Sequence, residues 1–506
     1  MRLRNRIDQL GVDWIRAPNR GIAQGAGEMN RLSPVSLAVL FCLVLAACAP
    51  ANPAPAQPAA PAAGGNPALP AATAGATTAP AAQPATGGAS GTVSVAMVGN
   101  PQMKTLEQLK ADFESSHPGI TLNLLVLPEN QVRDKVTTDI STNAAQFDLV
   151  TIGMYEVPLW AKNGWIDEVG TTLQKDPNYD YNDLIPSIVK GLQYDGKLYA
   201  APFYGESSAL FYRKDILQKA NVQMPDKPTW DQVAAAAKAV HNPPNQFGIC
   251  LRGLPGWGEQ LAPLDTVINT YGGRWFDENW QAQLSAPESA AAINFYIDTL
   301  KNSGEPGSTQ AGFTECETLM VQGKVGMWYD ATSAGDLVFD PKQNPNASNM
   351  AMAYAPTKEK ENSGWLWAWA FALESNSKNK PAAYEFMKWA TSKDYVNLVA
   401  QKQGWGAVPS GARKSTYDQA GYKDYAKGFA AITLDSIQNA DPSKPTTKPV
   451  PYTGVQFVQI PEFQDLGTRV SQEFASAIAG QQSTDDAIKK ANDYANQVAK
   501  QGGYQK

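Results

Sequence analysis

From Thr92 onward the chain switches repeatedly between a two-residue and a 3.6-residue apolar rhythm, and this alternation constrains its fold more than any other feature. Thr92-Val-Ser-Val-Ala-Met-Val98 alternates as a strand does, and Leu106 to Phe113 carries apolar residues at helical spacing. A second strand is expected at Ile120 to Leu127, a helix near Val132 to Ile140, and an apolar strand at Phe147 to Ile152. Strands separated by helices pair in parallel, so this order implies an α/β sheet. The Gly404 to Ala412 stretch and the Pro-rich Asp441 to Pro451 read as surface connections. An amphipathic helix from about Thr484 to Lys500 ends the pattern, with Ser483 as its N-cap and Asp485 and Asp486 in the first turn.

Ahead of that region the sequence has a different physics. Arg2, Arg4, Arg6, Arg16, Arg20 and Arg31 precede a short apolar run from Val35 to Ala47, the layout of an export signal and too short to span a bilayer. The run ends in Leu45-Ala46-Ala47-Cys48, which looks like a lipobox. Residues 1–47 are therefore expected to be a lipoprotein signal peptide and Cys48 the acylated residue, so that the anchor is a covalent lipid. Residues 48–91 are almost entirely Ala, Pro, Gly, Thr and Gln and lack the large side chains a core needs, which reads as a tether. As a flexible coil it reaches roughly 35 Å, and at most ~130 Å if fully extended as polyproline.

Composition removes several function classes. Lys and Arg total 42 against 48 Asp and Glu, a net charge of −6, so no basic surplus exists to neutralise nucleic-acid phosphates. His117 and His241, the two histidines, both lie beside proline in turns, and neither a Ser-His-Asp triad nor a His-rich metal site can be built from them. Gly191 to Lys197 nearly spells a phosphate loop, but Leu198 stands where a hydroxyl must hold magnesium. Asp176-Pro-Asn178-Tyr-Asp180 begins like a calcium loop, with Tyr181 at the required glycine and Ser187 at the bidentate acid. No cofactor and no metal are expected. Four cysteines are present; Cys42 leaves with the signal and Cys48 carries lipid, which leaves Cys250 and Cys316 either to pair in an oxidising compartment or to stand as two buried thiols.

A set of segments then appears in a fixed order: Phe113-Glu-Ser-Ser-His-Pro-Gly-Ile120, Phe147-Asp-Leu-Val150, Tyr194-Asp-Gly-Lys-Leu-Tyr-Ala-Ala-Pro202, Tyr212-Arg-Lys-Asp215, Pro228-Thr-Trp-Asp231 and Gln322-Gly-Lys-Val-Gly-Met-Trp328. Together they resemble the extracellular solute-binding proteins of carbohydrate ABC importers, the group that includes the maltose-binding protein. Ala201-Pro-Phe-Tyr-Gly-Glu-Ser-Ser208, Gly256-Trp-Gly-Glu259, Trp365-Leu-Trp-Ala-Trp369 and Gln456-Phe-Val-Gln-Ile-Pro-Glu-Phe-Gln464 look closer still to the branch that binds sorbitol and mannitol. Phe313-Thr-Glu-Cys-Glu317 departs from that branch, where Asn is expected after the acidic residue.

The resemblance implies a two-lobed, periplasmic-binding-protein-like α/β fold of type II, with crossing hinge strands and the ligand held between the lobes. By analogy the first lobe comprises residues 92–204 plus 370–412 and the second residues 205–369 plus 413–500. It further implies a monomer that takes up a polyol or sugar outside the cell. The protein then docks on the membrane permease of its importer, held to the membrane by lipid and without catalysis.

A polyhydroxyl ligand loses water at many donors and acceptors at once, so its site needs groups that replace each bond. Glu206 follows a strand and hinge at Tyr204-Gly205; Arg252, Trp257 and Glu259 cluster in a Gly-rich stretch; Asp330 ends an apolar strand. Asn100 and Tyr155 follow two strands of the first lobe, where open α/β sheets hold ligands. Trp365, Trp367 and Trp369 share one strand face, and Trp365 and Trp367 are the expected stacking partners for a sugar's C–H face. Each has a structural alternative: a helix N-cap for Asp330, core packing for the tryptophans, a surface turn for the others. A secreted glycosidase using a pair from Glu206, Glu259 and Asp330 is the competing function, and a binding protein serving a surface receptor a further one.

Overall fold

Among the described residues, eleven strands form in the order β1 Gly91–Val98, β2 Ile120–Leu127, β3 Leu149–Ile152, β4 Gln193–Tyr194, β5 Lys197–Leu198, β6 Ala201–Glu206, β7 Ser208–Arg213, β8 Phe247–Cys250, β9 Val325–Ala331, β10 Met350–Tyr354 and β11 Trp367–Leu373. They come from a computed structural model that describes residues 89–362 and 364–505. The export signal, Cys48 and all but the last residues of the tether lie outside the described residues.

Two sheets carry the architecture. The first runs β2-β1-β3-β11-β6 and the second β10-β7-β9-β8, each with helices against it. β1 pairs in parallel with β2 and β3, as the alternating pattern implies, and Val93 and Val95 to Val98 are wholly buried. β11 enters this sheet antiparallel between β3 and β6. Its partner strands lie more than a hundred and fifty positions earlier in the chain. The expected helix at Leu106 to Phe113 is two helices, α1 Pro101–Gln108 and α2 Lys110–Ser116. The backbone leaves helical geometry at Leu109, and both Leu109 and Phe113 remain buried. The next helix, α3 Glu129–Thr142, starts one turn earlier than its apolar pattern does. The near-phosphate loop is the hairpin turn between β4 and β5, with Asp195 and Gly196 both at positive φ.

The chain passes between the sheets at Ser207, the single residue between β6 and β7. It returns between β10 and β11, and again near Ser410 and Gly411, where Gly205 N donates to Ser410 O at 3.0 Å. At this crossing two backbones touch. Gly411 has φ +80°, and a Cβ there would stand 1.9 Å from Gly205 O, so only glycine fits. The helices Phe463–Ile478 and Thr484–Gln501 pack with the helix Pro287–Ser303 beside the second sheet. Ser483 caps the last helix, its Oγ accepting from Asp486 N at 3.0 Å.

Candidate binding site between the sheets

Where the two sheets meet, side chains from both surround a cavity with an empty volume of about 430 Å³. Glu206 reaches it from the end of β6, opposite Trp367 at the start of β11. Asn100 follows β1, Arg252 follows β8, and Trp257 lies in the loop beyond it. Trp365 and Trp367 line it as well. Six of the nine residues expected to hold ligand thus share one cavity.

The other three stand behind it. Asp330 is fully buried and grips Arg252, which donates Nε to Oδ2 at 2.8 Å and Nη2 to Oδ1 at 2.5 Å. Trp328 Nε1 and Ala331 N fill the remaining acceptor positions of the carboxylate at 3.0 and 2.7 Å. Asp330 lies within β9, not at a helix start, so it is not an N-cap. Glu259 Oε2 accepts from Arg252 Nη1 at 3.4 Å and from Phe313 N at 3.1 Å. The Tyr155 hydroxyl donates to Ile460 O at 3.0 Å and accepts from Gln464 N, and its ring lies 4.7 Å from Trp257. These three hold the lining residues in place.

Sequence reasoning missed part of the lining: Glu129, Arg133, Trp369, Gln456 and Phe313, with Gly258, Ala262 and Ala331. Arg133 is the most informative of them. Its guanidinium is buried among three indoles, 4.1 Å from the Trp257 ring centroid, 4.7 Å from Trp369 and 5.2 Å from Trp367. Glu129 pairs with it at 2.8 Å and Glu156 closes the other side. The i,i+4 spacing of Glu129 and Arg133 at the start of α3 was the one available signal, and it ordinarily marks a solvated helix face. Gly258 allows the approach: a Cβ there would stand 2.3 Å from Glu129 Oε1. Asn130 Nδ2 donates to Pro255 O at 3.0 Å, and Thr137 Oγ1 to Gln464 Oε1 at 3.2 Å, so the walls of the cleft are in contact.

The electrostatics suit a neutral, hydroxyl-rich guest. Burial pushes the Glu206 carboxyl up to about 7, against a hydrogen bond from Ser333 Oγ at 2.6 Å and the charge of Arg252. Burial and the neighbouring Glu129 push Glu259 up to about 8. Arg252 stays charged although burial opposes it, because Asp330 and Glu259 surround it. The indole N–H groups of Trp257 and Trp365 are buried with no protein partner, and both residues line the cavity. Buried donors of this kind are nearly always bonded, so each is open to an acceptor atom that enters the cavity. Cys250 and Cys316 form a disulfide with Cα atoms 5.6 Å apart, tying β8 to the helix Phe313–Val321 beside the site.

Comparison with known proteins gives the same picture. The family described as bacterial extracellular solute-binding protein matches residues 99–397. The mannitol-binding protein of Pseudomonas aeruginosa is 43% identical over 417 residues, which cover 82% of this chain and 94% of that protein. An ABC transporter solute-binding protein from Agrobacterium vitis S4, solved with bound D-mannitol, is 46% identical. It superposes with a TM-score of 0.80 over 82% of this chain and 100% of its own. Maltose-bound MalE3 of T. maritima, at 18% identity and a TM-score of 0.68 over 80% of this chain and 99% of its own, shares the two-lobed fold.

Proposed function

This chain belongs to the bacterial extracellular solute-binding proteins, and from that premise we propose that it captures a linear polyol of the mannitol kind and delivers it to the membrane permease of an ABC importer. The observation that carries this reading is the cavity between the sheets, with the Glu206 carboxyl, the Arg252 guanidinium and two unpaired indole donors on its walls. Glu206 accepts or exchanges hydroxyl hydrogens, Arg252 and the two indoles donate to hydroxyl oxygens, and Asn100 serves a further hydroxyl. Trp365 and Trp367 cover the C–H surface of the chain. Arg133 shapes this wall by clamping the indoles.

Binding is the chemistry these groups suit. The Asp330 carboxylate spends its acceptor positions on Arg252, Trp328 and Ala331, which leaves it no lone pair for a glycosidase role. Contacts from both sheets favour the closed arrangement when ligand is present, and the permease reads that closure. In this proposal the lobes divide as the sequence implies, at residues 92–204 plus 370–412 and 205–369 plus 413–500. Acylation at Cys48 holds the monomer on the outer face of the membrane by the tether of residues 48–91.

The test is a thermal-shift screen of hexitols, pentitols, monosaccharides and disaccharides, with calorimetry on the best. Mannitol or sorbitol should raise the melting temperature most and be recovered unchanged. A panel without any stabilising polyol, or a preference for disaccharides over hexitols, overturns the assignment.

A further inference from the structure

A second cavity, of about 1260 Å³ empty volume, also takes its walls from both lobes. Gln102 and Lys104 of α1 line one side, and Thr314, Glu317 and Thr318 of the helix Phe313–Val321 line another. Each wall continues from the inner site. Asn100, four residues before Lys104, and Phe313, four residues before Glu317, both line the inner cavity. Residues four apart share a helix face with side chains roughly 6 Å from each other, so the two cavities are neighbours along the same pair of elements.

Glu317 lines the outer cavity one helical turn from Phe313, which lines the inner one. Its side chain is buried, and its Oε1 has no hydrogen-bond partner. Asp330, behind the inner site, and Lys104, in the outer wall, both act on its charge. A buried carboxyl oxygen left without a partner is costly, and a ligand hydroxyl is a donor that can reach it from the cavity it lines. The outer lining contains two cations, Lys104 and Lys342, and two acids, Glu317 and Asp340, so it has no surplus of either sign to attract a phosphate or an amine. Its remaining side chains are mostly amides and hydroxyls, without an aromatic ring.

We propose that Glu317 and this outer cavity form a second subsite, which receives a sugar unit joined to a terminal hydroxyl of the polyol in the inner site. The protein then captures glycosylated hexitols as well as free ones. The inference rests on the reading of the inner cavity as a polyol site. Glu317 accepts hydroxyl hydrogens at the link between the two units, and the amide and threonine side chains serve the ring hydroxyls of the second.

Calorimetry on the full chain with D-mannitol and with 1-O-α-D-glucopyranosyl-D-mannitol tests it. The glucoside should bind within roughly tenfold of mannitol. Thr105→Trp, which fills the outer cavity, should weaken the glucoside by about tenfold or more while leaving mannitol within about twofold. Glu317→Gln should likewise cost the glucoside more than mannitol. Mannitol binding without glucoside binding, or equal losses for the two ligands in Thr105→Trp, overturns the second subsite and leaves the polyol reading intact. Failure of both ligands on the unaltered chain removes both.

Discussion

Glu206 and Trp367 are direct partners across the antiparallel pair β6 and β11, and both side chains line the inner cavity. The register therefore sets a carboxylate beside an indole, the two kinds of surface a polyol needs, at the point where the chain crosses between sheets. A slip of either strand by one residue would turn its own side chain away from the cavity.

Trp367 also packs against Trp257 and Trp369 and covers the Arg133 guanidinium. Trp367→Ala should cost about 3–5 kcal/mol of stability, as large-to-small core changes do, and weaken mannitol by about tenfold or more. Trp367→Phe should lose less of each. Differential scanning calorimetry and titration calorimetry separate the two effects, and unaltered mannitol affinity in Trp367→Ala removes the residue from the ligand wall.

Arg252 is locked by Asp330, so its loss strands a buried acid. Arg252→Met should destabilise by about 3–5 kcal/mol. Adding Asp330→Leu should recover most of that stability while mannitol binding stays lost, because the guanidinium proposed to donate its remaining N–H to a hydroxyl is gone. Urea midpoints and titrations on the two single variants and the double variant decide it; restored binding in the double variant would show that Arg252 acts on the fold alone.

Stability should fall as pH rises from about 5 to 8. Burial raises Glu206 to about 7 and Glu259, Glu317 and Asp336 to about 8, from ordinary values of 4.5 for Glu and 3.8 for Asp. In each case the folded chain holds a proton that the unfolded chain releases. The associated stability is complete below the ordinary value and disappears as pH passes the folded-state value. Glu206→Gln should flatten the melting-temperature profile most between its ordinary and folded-state values, at about pH 5 to 6.5, which scanning calorimetry across a buffer series reads directly.

Gly411→Ala forces a methyl group against the Gly205 carbonyl in a backbone region that disfavours side chains. The variant should melt lower and close less completely around mannitol, seen as a smaller ligand-induced contraction in solution scattering. Full contraction would mean that the crossing yields without cost.

Reduction of Cys250–Cys316 releases a cross-link between residues 66 apart. A loop of that size corresponds to about 4 kcal/mol on the chain-entropy account. Dithiothreitol, or Cys250→Ala with Cys316→Ala, should lower the urea midpoint accordingly.

The strand–helix rhythm of residues 92–152 was legible because it depends on local side-chain direction, which sequence spacing encodes. So was the candidacy of Glu206 and the tryptophans, since strand ends and alternate positions follow from the same geometry. Other features depended on residues far apart in the chain. Nothing near Arg133 tells it that Trp257, Trp367 and Trp369 will enclose it, and nothing near Asp330 foretells that Arg252 and Trp328 will use its oxygens. The insertion of β11 between β3 and β6 brings those partners together. Sequence determined which elements form and which faces are apolar; tertiary structure decided which polar groups meet the cavity and which stand behind it, because the pairing of buried charges depends on distances that only the assembled sheets fix.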